Sequence, residues 1–494
     1  MSSPLRKDLA EVLSTAWPLM LSTGLFSLTL FVDRMLLFRY SASSAAAAMG
    51  AGTILWTINC LPIGVCGYTN TFVAQYLSAK RPTRALQVVW QGILLALCIG
   101  PILAIFGYNA ELLFSAVGHS ENLARQEAEY FVWLIPGTWA SIIASALVGL
   151  FSGSGRSMVL LYTDMVVSVV NGVLDYIMIF GFLGCPELGV RGAAIASSIA
   201  LILKLVILAC VARKDFQLKN KEAGVYVDPE TLGSNRAGMA ELLKWDFPLM
   251  RRLIHFGWPA GVSVVAEAIC FTSIMMIVGR LGEKEADATT LALGVNLLAF
   301  IPLVGLGTAT GVLVAKYLVR EQVEIAKRMV FSGLLIGIAY SMIFVVLYGG
   351  FPDWIMMVYA LDADPGRFES MRPMLRPLLY FIAGYCVFDA FQTVFVGALK
   401  GAGDTRFVLG GHIFAGATTV IGGIMVNRWT GLGGLNNRDG TNGVLKLDSD
   451  RINDLLYWWW VIAIWVVMLA VIFTSRYLHG GWQSKRVIEP TVAD

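Results

Sequence analysis

The sequence predicts an all-α polytopic membrane protein of about twelve transmembrane helices in two pseudo-symmetric six-helix bundles. Three observations carry that prediction. Hydrophobic residues make up 57% of the chain and charged residues only 14%, with a mean hydropathy of +0.68, more apolar surface than a soluble core can bury. The apolar runs are long enough to cross a hydrocarbon core of roughly 30 Å, which needs about 20 helical residues; the strands of a barrel would be about 10 residues with strict alternation. Finally, the first half of the sequence recurs in the second.

Spans one to six are read at about 13–38, 46–77, 85–106, 130–151, 159–183 and 192–212. Spans seven to twelve follow at about 253–281, 290–318, 329–348, 375–399, 408–426 and 457–473. A basic break at Lys80, Arg81 and Arg84 ends span two, and a polar stretch through Glu111, His119 and Glu129 precedes span four. Residues 213–250, with Lys214, Lys219, Lys221, Asp228, Pro229, Glu230 and Arg236, read as a cytoplasmic linker between bundles at 1–212 and 251–494. The Gly- and Asn-rich stretch within 429–455 reads as an inserted surface loop. The N-terminus carries no small-residue cleavage signal, so the first span is expected to be retained.

The repeat is literal in places. Trp17-Pro18 returns as Trp258-Pro259, VAQYL at 73–77 as VAKYL at 314–318, and Pro62 as Pro302, at a shift of 240 or 241. Six spans is an even number, so the second unit enters in the same orientation as the first, the parallel-repeat plan of alternating-access transporters. Lys and Arg accumulate on the side holding both termini, which the positive-inside rule makes cytoplasmic.

A charged side chain at mid-span costs at least about 2.5 kcal/mol on insertion scales and needs a reason to persist. Asp33, Asp175, Glu267 and Asp389 are the acids singled out, none with a Lys or Arg at i±3 or i±4. Asp33 lies about 24 Å along its helix from Trp17, at a depth like those of Asp175, Asn171 and Ser197, so these four can share one site. Glu267 and Asp389 lie near mid-membrane, and Tyr385 and Gln392 share the face of Asp389, giving a second. The competing reading is pairing with a cation on a neighbouring helix; Arg34 and Lys204 are the intramembrane candidates. An acid without such a partner takes up a proton or recruits Na⁺ with neighbouring oxygens. Phe271, Met275, Met276 and Phe300 are weaker candidates for an apolar substrate cavity, with core packing as the alternative.

Other chemistries fit poorly. The seven cysteines form no CxxC pair and have no histidine in metal-ligand spacing. GLGTATG at 305–311 and KGAGDTR at 400–406 lack the ending of a phosphate-binding loop, and helix packing and a turn explain them. Four scattered histidines offer no nucleophile constellation, so no enzyme is expected, and His255 and His412 read as isolated. A net charge of +3 gives no basis for nucleic-acid binding. The Tyr457–Trp460 cluster reads as an interfacial aromatic belt.

Taken in order, the Trp-Pro openings, FVD ending at Asp33, Asn171 to Asp175 followed by IMIFG, GAAIAS from Gly192, VVAEA around Glu267 and FDAFQTVFVGALKGAGDTR from Phe388 resemble the multidrug and toxic compound extrusion (MATE) family, close to its NorM-like branch. The resemblance covers nearly the whole chain. It implies an inner-membrane efflux antiporter, a monomer without cofactor, that exports small organic cations in exchange for Na⁺ or H⁺ by rocker-switch alternating access. It also implies a second-half cation site at Glu267, Tyr385 and Asp389 and a first-half site at Asp33, Asn171 and Asp175. Arg34, Lys204, Ser197 and the 429–455 insert depart from the family pattern. The alternatives are a lipid-linked saccharide flippase of the same superfamily, which would need a basic cavity, and a channel.

Overall fold

The computed structural model describes residues 4–116, 121–217, 244–360, 365–434 and 448–489. His119, most of the linker between the halves and 435–447 of the insert lie outside the described residues. Among the described residues there are fifteen helices and no strand, as a bilayer demands when every backbone group must be bonded within its own segment.

The first lobe comprises α1 (Pro4–Tyr40), α2 (Ala42–Gly67), α3 (Thr69–Ser78), α4 (Pro82–Tyr108), α5 (Ala110–Ala116), α6 (Glu121–Gly153), α7 (Ser157–Phe180) and α8 (Gly189–Gln217). The second comprises α9 (Phe247–Gly279), α10 (Glu283–Val319), α11 (Val323–Gly350), α12 (Pro352–Ala360), α13 (Pro365–Ala402), α14 (Thr405–Thr430) and α15 (Asp448–His479). With α2 and α3 read as one span broken at Tyr68, twelve segments are long and apolar enough to cross a membrane. Several overrun the apolar stretches that mark them: α10 has 37 residues and α13 has 38, about 55 Å each. Hydropathy sees only the part in hydrocarbon, whereas the helix continues into polar surroundings.

The repeat reaches the backbone. Lys80 and Glu321, 241 positions apart, both take left-handed φ values, 59° and 60°. The turns they make are closed by matching bonds, Arg81 N to Tyr76 O and Gln322 N to Tyr317 O. The glycine turns after α6 and α13 match as well: Gly155 and Gly403 have positive φ, and Arg156 N to Phe151 O and Asp404 N to Leu399 O are both 2.8 Å. Pro18, Pro62, Pro259 and Pro302 all lie inside helices. A proline there frees a carbonyl and bends the helix, which packed transmembrane bundles tolerate.

The lobes meet through two equivalent helix pairs, α1 with α10 and α2 with α9. Glycine sets the distance at both. A methyl on Gly64 would collide with the Gly261 backbone, and one on Gly305 would lie 2.6 Å from the Leu19 carbonyl oxygen. Inside the second lobe the GLGTATG and KGAG stretches do the same for α10 and α13: a methyl on Gly311 would lie 2.6 Å from the Gly397 carbonyl oxygen. Small-residue packing is how transmembrane helices approach closely.

Polar contacts between the lobes cluster on the face holding the termini. Glu11 accepts from Lys316 (2.8 Å) and Tyr317 (2.7 Å), Asp8 pairs with Arg328 (2.6 Å), and Asp246 with Arg84 (2.7 Å). The segment after α15 straps this face. Gln75 of the first lobe accepts from the amides of Val487 (3.0 Å) and Ile488 (3.4 Å) and donates to the Gly401 carbonyl (3.2 Å), while Arg252 holds the Val487 carbonyl. Tyr76 donates to Glu489 at 2.6 Å. Burial opposes ionisation of Glu489, but the Tyr76 hydroxyl and the fields of Arg252 and Arg84 outweigh it and hold its carboxyl below the usual value. That contribution is present above the ordinary glutamate range of about 4.3 and is lost only as pH falls through the lowered value. Asp404, 2% exposed, receives both Arg476 (2.8 Å) and Lys485.

Two sequence readings change. Trp458 and Trp459 are fully buried, donating to the Gly433 carbonyl (3.0 Å) and the Thr289 hydroxyl (3.3 Å), so of the aromatic cluster Trp460 faces outward and the tryptophans before it are core. Lys204 does not neutralise any of the four singled-out acids. It pairs with Asp164 on α7 at 2.6 Å, and Ser22 donates to the same carboxylate, tying α1, α7 and α8 together.

Replacing Asp404 by Asn is expected to cost about 2 kcal/mol, discounted from the roughly 3–5 kcal/mol of a fully buried pair because Lys485 and Arg476 are partly exposed. Hydrogen exchange at 480–489 should rise with it, and an unchanged melting temperature and exchange pattern would sink the strap. Lys204→Met leaves Asp164 with only the Ser22 hydroxyl in a low-dielectric setting and should destabilise by about 3 kcal/mol. The double variant with Asp164→Asn should recover most of this in thermal melts, and additive losses would contradict a paired role.

Candidate ion-coupling and substrate site

Each lobe brings its predicted acids inward. In the first, Asp33 on α1 is 5% exposed, and Asn171 and Asp175, one turn apart on α7, are buried on the same helix face. Asn171 donates to Ser197 of α8 at 3.4 Å. Asp33 and Asp175 are close enough to interact electrostatically, and Tyr130 of α6 hydrogen-bonds Asp33. The predicted four therefore converge, with Tyr130 added. Nothing marked Tyr130 in the sequence, because it sits at the start of a span, where an interfacial tyrosine is ordinary. Arg34 lies in the field of Asp33, yet Asp33 Oδ1 and both Asp175 oxygens are buried and have no hydrogen-bond partner among the described residues. Orphaned oxygens of this kind suit a proton or a small cation.

In the second lobe, Gln392 of α13 donates to Glu267 Oε1 at 3.4 Å, and His412 Nε2 of α14 lies 3.7 Å from Glu267 Oε2. His412 Nδ1 is 2.8 Å from the Val408 carbonyl; with Nδ1 as donor there, the Nε2 lone pair faces the carboxylate. His412 is thus no isolated histidine. Its partner is a helix away and invisible in the sequence. Asp389 is buried, one turn after buried Tyr385, and both interact electrostatically with their neighbours in the site, Asp389 with Glu267 and Tyr385 with Asp389. Cys60 of α2 and Cys270 also lie in the field of Glu267. Among the described residues no cluster of three or more His, Cys, Asp or Glu forms a ready metal cage.

Below these acids, towards the terminal face, a cavity of about 210 Å³ opens between the lobes. It is lined by Tyr68, Asn70 and Thr71 of the first lobe and by Val264, Thr308, Thr393 and Lys400 of the second, with glycines filling much of its wall. The apolar candidates are placed elsewhere: Phe271 and Met275 pack against the core, and Phe300 and Met276 do not line this cavity. In the sequence Lys400 is the first residue of KGAGDTR, a stretch read as packing and a turn. It faces the cavity because Asp389, Thr393 and Lys400 fall at i, i+4 and i+11 on one helix face.

A sequence model of the MatE family matches residues 18–177 and 259–425, one stretch in each lobe. The probable multidrug resistance protein NorM of Bradyrhizobium diazoefficiens is 27% identical over 415 residues, covering 82% of this chain and 83% of that protein. The protein of the same name from Burkholderia mallei is 27% identical over 364 residues, 73% of each. Among solved structures, an outward-facing multidrug resistance MATE transporter of the MOP superfamily superposes with a TM-score of 0.80 at 17% identity over 97% of both chains. The eukaryotic MATE transporter AtDTX14 gives 0.75 at 16% identity over 97% of both. With the family matched once in each lobe and its fold reproduced along nearly the whole length, the chain belongs to the MatE family as a NorM-like MATE transporter, not an enzyme.

Proposed function

We propose that this protein is a secondary active multidrug efflux antiporter that exports organic cations in exchange for Na⁺ or H⁺ by alternating access. The observation that carries the reading is the pair Asp33 and Asp175, three of whose four carboxylate oxygens are buried without a hydrogen-bond partner among the described residues. Two such carboxylates are stable together in a low-dielectric lobe only when a proton or cation joins them. Glu267 and Asp389 make a second pair of acids, linked electrostatically across α9 and α13, with Gln392 and His412 at the Glu267 oxygens. Relatives named as probable multidrug resistance proteins support multidrug efflux.

Alternating access is supported by the uneven lobe interface. Close glycine contacts and ion pairs hold the terminal face, the face we assign to the cytoplasm of an inner-membrane monomer. Reopening it requires separating Gly64 from Gly261 and releasing Glu11, Asp246 and the strap, contacts that are small, polar and reversible. A cation bound to the acids shifts this equilibrium only by its different affinity for the two states. Coupling therefore requires that the acids change surroundings as the lobes move. The flippase reading has less support, because the cavity lining carries one cation, Lys400, where a pyrophosphate would call for several.

Efflux of ethidium from proteoliposomes under separately imposed Na⁺ and H⁺ gradients tests the proposal. The wild-type protein is expected to follow one gradient. Glu267→Gln and Asp389→Asn should each lose gradient-driven efflux by at least tenfold, about 1.4 kcal/mol of coupling, while melting normally. Efflux that ignores both gradients, or is untouched in both variants, would refute the antiport mechanism.

A further inference from the structure

The terminal face is held by one arrangement used twice, and the second use is built from different parts. The repeat shift of 241 joins Tyr76 to Tyr317, Gln75 to Lys316 and Glu11 to Arg252. On one side, Tyr317 and Lys316 of α10 reach across the lobe boundary to Glu11 of α1, at 2.7 and 2.8 Å. On the other, Tyr76 and Gln75 lie on α3, and the place of Glu11 is taken by Arg252 of α9. A guanidinium can only donate, so it cannot take from Tyr76 the hydroxyl proton that Glu11 takes from Tyr317. The acid on this side comes from beyond the twelfth span: Tyr76 donates to Glu489 at 2.6 Å.

The segment 480–489 that carries Glu489 is rooted in the second lobe. Trp482 is fully buried, stacks on Tyr477 with ring centroids 5.0 Å apart, and donates to the Tyr477 carbonyl at 2.9 Å. Lys485 joins Arg476 on the buried carboxylate of Asp404. The tip lies on the first lobe. Gln75 accepts from the amides of Val487 and Ile488, whose side chains are buried. Arg252 donates to the Val487 carbonyl and sets Glu489 in its field. Glu489 therefore has the surroundings of Glu11, a tyrosine hydroxyl from the opposite lobe and a cation beside it. The root contacts would steady the second lobe by themselves, whereas the contacts with Gln75 and Tyr76 join it to the other lobe.

We propose that the segment after α15 is a releasable latch that completes the terminal-face gate: Glu489 stands in for the acid that the repeat would place at Arg252, and this side of the gate opens when the tip leaves Gln75 and Tyr76 while the root stays on the second lobe. The inference rests on the reading that the lobes part at this face. It makes the two sides of the gate unequal. One side opens as the ends of α1 and α10 move apart, and the other opens only when the latch lets go, so any change that holds the tip in place favours the state closed on the terminal face.

Distances between spin labels on Thr83→Cys and Gln322→Cys, exposed positions in the two lobes, report the gate in the full-length protein in lipid nanodiscs with no ion gradient. Cys98, Cys185 and Cys210, the cysteines that are not buried, are replaced by Ala. Loss of one charged hydrogen bond should raise the ratio of separated to closed lobes about tenfold in Glu489→Gln and in Tyr76→Phe. Ending the chain at Gln483 should raise it further. Arg252→Glu alone should also open the gate, because it sets two carboxylates side by side. Combined with Glu489→Gln it should bring the ratio back to within about threefold of the starting value, the new acid serving Tyr76 as Glu11 serves Tyr317. Unchanged distances in Glu489→Gln and in the shortened chain overturn the latch, and additive opening in the double variant overturns the exchange of one acid for the other. Efflux that ignores both gradients would remove the antiport reading and leave the latch standing wherever the distances change as stated.

Discussion

A carboxylate inside a bilayer has to be matched by a fixed cation, a proton or a mobile ion, and the way each acid of this chain meets that demand organises the molecule. Desolvation of a lone ion costs several kcal/mol, comparable with a sizeable fraction of the stability of a whole domain. Asp164 meets it with a fixed partner, Lys204, and with the Ser22 hydroxyl. That solution is permanent, and it fastens α1 to α7 and α8. Asp33 and Asp175 have no such partner for three of their four oxygens. Acids of the first kind build a lobe, and acids of the second kind leave it something to exchange.

The interface between lobes follows a different rule, set by backbone distance. Gly64 and Gly305 are related by the internal repeat, and each stands where a helix of one lobe touches the backbone of the other. Without side chains between them, the helices gain dispersion contacts over a short length and lose few rotamers on meeting. Around this dry contact the terminal face is held by charged and polar groups: Glu11 with Lys316 and Tyr317, Arg84 with Asp246, and the strap on Gln75. Such groups can be rehydrated when they part. A face sealed by interdigitated leucines would have to expose apolar surface at each opening, at about 25 cal/mol per Å². Close backbones inside a polar rim make a seal that can be remade many times.

Much of this was legible in the sequence because it is periodic or repeated. The twelve spans follow from hydropathy, and the shift of about 241 that joins VAQYL to VAKYL also joins the left-handed turns at Lys80 and Glu321. The four acids stood out because each lies in an apolar run with no Lys or Arg one helical turn away. What could not be read were partners across helices. Asp164 lies close enough to the start of its span to pass as an end residue, and Lys204 passed as an unexplained cation, although each explains the other. His412 passed as isolated for the same reason, its carboxylate partner lying 145 positions away in sequence on a neighbouring helix. Trp458 and Trp459 misled differently: a tryptophan run near a span end reads as interfacial, and only packing shows two of the rings turned inward.

The two lobes share a scaffold and settle their charges differently, and the difference bears on how they can work together. In the first, Asp33 and Asp175 sit with neutral oxygen and nitrogen groups, Tyr130, Asn171 and Ser197, and with Arg34 in range. In the second, Glu267 is met by Gln392 and His412 with Lys400 in range, a surround richer in nitrogen. Oxygen groups can close around a hard cation, whereas nitrogen donors favour a proton or an anion. The sites are therefore not two copies of one device. Since Val264 lines the cavity one turn before Glu267, and Thr393 one turn after Asp389, a substrate in that cavity adjoins the second-lobe acids directly. Asp33 and Asp175 lie on α1 and α7, which contribute no residue to the cavity lining. Under the proposed antiport, ion and substrate would meet by contact only in the second lobe, and α1, which carries Asp33 and meets the backbone of Gly305 on cavity-lining α10 through Leu19, is the helix that connects the first-lobe acids to the cavity wall.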